Sequence, residues 1–89
     1  MQKSLKSAEY ARLVALLVAV RHETGMRQQA LAKKLGRPQS FVAKYEGGER
    51  RIDVIEFIAI ARALGADPLK LFKGFLVDMP SKPPRKRAG

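Results

Sequence analysis

The chain has 89 residues, enough for one small domain, and 46% of them are apolar, too many for a disordered segment. It has no cysteine, which excludes a disulfide framework and a thiolate metal site, and its one histidine, His22, forms no metal cluster alone. The net charge of +10 is unevenly placed, with +5 over residues 26–52, −1 over residues 53–79 and +4 over residues 80–89. Such segregation suits long-range attraction to a polyanion.

Residues 1–6 read as a flexible N-terminus, and Ser7 as the cap of a first helix with Glu9 in its favourable first turn. Leu13, Leu16, Leu17 and Val20 repeat at three and four residues, and Gly25 closes the helix. The apolar run Leu13–Val20 is far below the ~20 residues that span a bilayer, so a soluble, intracellular chain with no membrane partner is expected. A short second helix runs from about Gln28 to Leu35 and stops at Gly36. Pro38 opens a third, its missing N–H costing nothing in a first turn, and Gly47–Gly48 ends that helix after Glu46. Asp53 with Glu56 forms a capping box for a fourth helix to Leu64. Its core stripe is expected to be Val54, Phe57, Ile58, Ala61 and Leu64, with Ile60 at the margin. Asp67 and Pro68 open a fifth helix ending near Phe75 or Leu76, and the Pro- and Lys/Arg-rich residues 80–89 read as a disordered basic tail. The fold class predicted is all-α, a compact five-helix bundle over residues 7–79.

Two short helices joined around Gly36 form a helix-turn-helix, which projects its second helix outward. Val42 and Tyr45 face inward, with Phe41 partly buried at the edge. Gln39, Ser40 and Lys44 then point away from the core, and their amide, hydroxyl and ammonium groups suit base edges and neighbouring phosphates. Gln39 is the strongest base-reading candidate, because glutamine can bond bidentately to adenine.

From Gly25 to Gly65, "GMRQQALAKKLGRPQSFVAKYEGGERRIDVIEFIAIARALG" resembles the phage-repressor (Cro/cI, XRE) helix-turn-helix family, and the likeness extends over about residues 10–76. The resemblance implies a lambda-repressor-like fold that binds double-stranded operator DNA as a homodimer and controls transcription. It implies base-reading positions for Gln39, Ser40 and Lys44, and a phosphate contact for Gln28 at the start of the second helix. Arg50 and Arg51 lie in a turn that relatives lay along the DNA backbone. Arg21 and Glu46 occupy positions that relatives use for a structural ion pair. Arg27 departs from the capping Thr or Ser common in relatives, so that helix loses a cap and Arg27 is free to reach a phosphate. Ala43 replaces a common Ser, which removes one possible phosphate bond.

The fourth helix leaves Ile55 and Ala59 on its far side, and the fifth leaves Phe75 and Leu76 in search of cover, which marks a dimer interface. No nucleophile, base and second carboxylate are placed to cooperate, so no enzyme, metal or cofactor is expected. The reading is a sequence-specific transcriptional regulator on a palindromic operator, at the cytoplasmic nucleoid of a bacterium or in a phage system. The alternative is an antitoxin-like interaction module that also binds DNA.

Overall fold

The computed structural model describes residues 7–78, in five helices without a strand among them. They are α1 (Ala8–Thr24), α2 (Gln28–Leu35), α3 (Gln39–Glu46), α4 (Val54–Ala63) and α5 (Pro68–Asp78). The expected flexible N-terminus at 1–6 and basic tail at 80–89 lie outside the described residues.

Local chemistry sets the helix ends. The Ser7 hydroxyl accepts from the Tyr10 amide at 3.1 Å, satisfying one of the orphan donors of α1. The capping box of α4 is complete: Asp53 Oδ1 accepts from the Glu56 amide at 2.7 Å, and Glu56 Oε1 accepts from the Asp53 amide at 2.9 Å. Asp67 Oδ1 accepts from the Leu69 amide at 2.9 Å and opens α5. Gly36, at φ 68°, makes the sharp turn that a β-carbon would strain. Its amide donates to Lys33 O and that of Arg37 to Ala32 O, closing α2.

The core lies where α1, α2, α3 and α4 meet, with Leu17, Leu31, Val42, Tyr45 and Ile60 fully buried. Ala32 is small and buried where α2 meets α3 and α4. Phe41 is buried more completely than expected and meets Tyr45 edge to face at 5.5 Å.

Four local expectations need correction. The buried stripe of α1 runs Tyr10, Val14, Leu17 and Arg21, with Leu13 and Val20 at its sides, because a carboxylate partner lets Arg21 sit inside. Pro38 is the N-cap of α3, not its first residue: its ψ of 155° is extended, and the helix begins at Gln39. In α4 the stripe is rotated, so that Val54 is 70% exposed while Ile60 is 0% exposed, at the centre. α5 continues past Leu76 to Asp78.

Candidate nucleic-acid interface

α2 and the turn at Gly36 hold α3 by its inner face, through Phe41, Val42 and Tyr45. Gln39, Ser40, Ala43 and Lys44 are all exposed on its outer face. The polar expectations for this helix thus fall on one continuous surface. The Tyr45 hydroxyl is buried without a partner among the described residues, and burial, then the Glu46 charge, pushes its pKa well up.

A hydrogen-bonded chain links that surface to the interior. Arg21 Nε donates to Glu46 Oε2 at 2.7 Å and Arg21 Nη2 to Glu46 Oε1 at 3.0 Å, a two-pronged pair with side chains 10% and 7% exposed. A further Arg21 donor reaches Met26 O at 2.8 Å, which ties the α1–α2 connection to the same pair. Gln28 Nε2 donates to Glu46 Oε1 at 2.8 Å, and Gln28 Oε1 accepts from Gln39 Nε2 at 3.3 Å. An ionised carboxylate only accepts, so Gln28 must turn its nitrogen to Glu46 and its oxygen to Gln39. The oxygen of Gln39 and its second N–H remain for a ligand.

Both helices of the motif carry exposed cations. Arg27, Lys33, Lys34 and Lys44 are exposed, and Arg27 stands at the N-cap of α2 without a side-chain capping bond. Arg51 lies over the Tyr10 ring at 4.7 Å and reaches Ser7 Oγ at 3.5 Å. The Tyr10 hydroxyl donates to Arg50 O at 2.8 Å, so this arginine turn is pinned to α1. The Arg50 guanidinium grips Glu56 at 2.9 and 3.0 Å. Arg50 is therefore less open than its place in the sequence suggests. These bonds, with the Asp53 amide and Arg37, hold the Glu56 carboxyl down at about 2.

Arg37 escaped the sequence reading. It donates to the same carboxylate at 3.1 Å and covers the Phe41 ring at 4.3 Å. Its only sequence signal was a basic residue beside the turn, because Glu56 lies nineteen positions away.

On α4 and α5, Ile55 and Leu76 are 73% and 50% exposed, and Ala59 is exposed. Phe75 is half-buried, stacked near Phe72 at 6.2 Å with Arg12 over its ring at 5.5 Å. Beside them an apolar groove of about 370 Å³ runs between Leu13, Val54, Phe57, Ile58, Leu69 and Phe72. Among the described residues no group of three or more His, Cys, Asp or Glu side chains is arranged to hold a metal, and no helix is long and apolar enough to cross a membrane.

Fold and surface together define a helix-turn-helix domain with a polar, cation-flanked second helix. Residues 12–71 match a family model described as a helix-turn-helix domain. The structure of an XRE-family like protein from Pseudomonas syringae pv. tomato str. DC3000 aligns at 46% identity over 82% of this chain and 89% of that one, with a TM-score of 0.79. The chain belongs to the XRE-type helix-turn-helix family of DNA-binding transcriptional regulators. The restriction-modification controller protein C.AhdI from Aeromonas hydrophila aligns at 29% identity over 74% of this chain and all of that one, at a TM-score of 0.68. The controller protein C.Esp1396I, solved as a tetramer with its natural 35 base-pair operator, shares the fold at 19% identity, 81% and 95% coverage and a TM-score of 0.74. No curated protein sequence matches the chain.

Proposed function

We propose that the chain regulates transcription by occupying a palindromic operator as a homodimer, with α3 of each subunit in the major groove. One observation carries this reading: α3 buries Phe41, Val42 and Tyr45 and leaves Gln39, Ser40 and Lys44 exposed, in a motif whose two helices carry exposed cations. Gln39 reads adenine through the two groups its bond to Gln28 leaves open, and Ser40 and Lys44 contact neighbouring bases or phosphates. Gln28, Arg27, Arg50 and Arg51 face the backbone and set the register. Ile55, Ala59, Phe75 and Leu76 belong to the surface that pairs two copies, and the operator-bound tetramer of C.Esp1396I supports assembly on DNA for this fold. Such a protein works at the nucleoid, in the cytoplasm.

Selection of bound sequences from random duplex DNA tests the reading. A palindromic consensus is the expected result. No enrichment would defeat it in favour of an interaction module. Gln39→Ala should weaken the selected site about tenfold or more while leaving random duplex nearly unchanged, and Arg51→Ala should weaken both alike. Equal losses for Gln39→Ala would make Gln39 a positioning residue.

A further inference from the structure

Four residues from separate parts of the chain converge beside α3. Arg37 comes from the turn before it, Phe41 from its first turns, Arg50 from the loop after it and Glu56 from the first turn of α4. Both guanidinium carbons lie over the Phe41 ring, at 4.3 and 4.8 Å, and both groups donate to Glu56 Oε2, at 3.1 and 2.9 Å. Two cations share one anion, so Arg37, Arg50 and Glu56 taken together keep one positive charge.

The carboxylate has no capacity left. Oε1 accepts from the Asp53 amide and Arg50 Nη1, and Oε2 from Arg50 Nη2 and Arg37 Nη2, which fills about four lone-pair sites. A guanidinium carries five N–H donors. Arg37 uses one of them, and Arg50 makes two bonds to Glu56 and one to Arg51 O. The arginine side chains are 43% and 39% exposed while that of Glu56 is 14% exposed, so the guanidinium groups are the part of the cluster most open to solvent. An approaching anion meets the forks before it meets the carboxylate. Stacking and pairing have also fixed both planes, so less freedom is lost when a ligand binds.

We propose that Arg37 and Arg50 form a two-arginine clamp for a phosphodiester of the DNA backbone beside α3, with Glu56 as the positioning residue that aligns them. The clamp rests on the reading that α3 enters the major groove. It adds Arg37 as a phosphate ligand, gives Arg50 a partner and gives Glu56 a second role beside its capping of α4. Phe41, two residues after Gln39, links the clamp to the base-reading end of α3, so gripping the backbone fixes the helix in register.

The test is duplex binding measured from 50 to 300 mM salt for the full chain and its Arg37→Gln and Glu56→Gln variants. Arg37→Gln changes a side chain that is 43% exposed and should leave the fold intact, which circular dichroism checks. It should flatten the slope of log K against log salt by ~0.9 per subunit, the value of one phosphate contact. Glu56→Gln keeps the capping box, which tolerates Gln, and removes a negative charge. If the clamp is correct, it weakens the selected operator about fivefold despite that charge change, at a temperature well below its melting midpoint. Tighter binding of Glu56→Gln would make Glu56 a competitor of the phosphate and overturn the proposal. An unchanged slope for Arg37→Gln would overturn it too, while specific binding by the wild type leaves the wider DNA-binding reading standing. Absence of duplex binding by the wild type would defeat both.

Discussion

Removing the Glu46 carboxylate strands Arg21, whose side chain is only 10% exposed and whose other donors reach Met26 O and the His22 ring. Breaking one half of so buried a pair leaves an uncompensated charge, and Glu46→Ala should cost about 3 kcal/mol in urea denaturation. A double-mutant cycle with Arg21→Ala should return a coupling energy above ~1 kcal/mol, and a value of zero would mean that the pair is solvated in solution. The same substitution frees the Gln28 amide, so loss of stability should come with loss of base selectivity at the position Gln39 reads. Tyr45 presents the opposite case. Its ring fills the core, yet its hydroxyl is buried without a partner among the described residues. Tyr45→Phe should raise stability by about 1 kcal/mol, because it removes a desolvated polar group and keeps the ring. A loss of stability would show that the hydroxyl is bonded after all.

At the scale of the helix, α2 carries the weakest terminus. Its N-cap residue, Arg27, has the extended backbone of a cap, with φ −83° and ψ 161°, but no side-chain oxygen to meet the first amides. Arg27→Ser should add about 1 kcal/mol, an increase of about 4–8 °C in melting midpoint for a domain of this size. If Arg27 touches a phosphate, the gain in stability comes with weaker, less salt-sensitive DNA binding. No gain in the midpoint would show that water already satisfies the free amides. Caps were legible in the sequence because they act over two or three residues: Ser7 with Tyr10, Asp53 with Glu56, Asp67 with Leu69. The buried face of α4 was not. Nearly every residue of Val54–Ala63 is apolar, so several stripes satisfy the helical period. The choice of Ile60 over Val54 is made by where the other helices pack. The grouping of Arg37, Phe41 and Arg50 around Glu56 was hidden for a similar reason, since α3 and its flanking turns must fold before those side chains meet.

For the whole molecule, the remaining question is what covers the apolar surface of α4 and α5. Val54, Ile55, Leu69, Leu76 and Val77 are each at least half exposed, and Phe72 nearly so, along α4 and α5. Val54, Leu69 and Phe72 line one apolar groove, and exposed apolar surface of this kind commonly marks an interface. A symmetric pairing would bury it twice over with one set of residues, and adjacent half-sites would require the two copies of α3 about one DNA turn, ~34 Å, apart. Phe75 is a poor probe of that pairing, because Arg12 and Phe72 already pack on its ring and its loss would disturb the α1–α5 contact. Ile55 and Leu76 face outward and test it cleanly. Sedimentation equilibrium should show a wild-type dimer at micromolar concentration. The Ile55→Asp/Leu76→Asp double variant, which forces two carboxylates per subunit into the interface, should dissociate about a hundredfold more readily, a change of about 2.7 kcal/mol. Its helical content should be unchanged, and it should still bind a single half-site with the affinity of one wild-type subunit. What it should lose is the gain in affinity that the full palindrome gives over the half-site, since that gain comes from joining two binding events. A wild type that stays monomeric at high micromolar concentration, alone and on operator DNA, would remove both the interface and the palindrome.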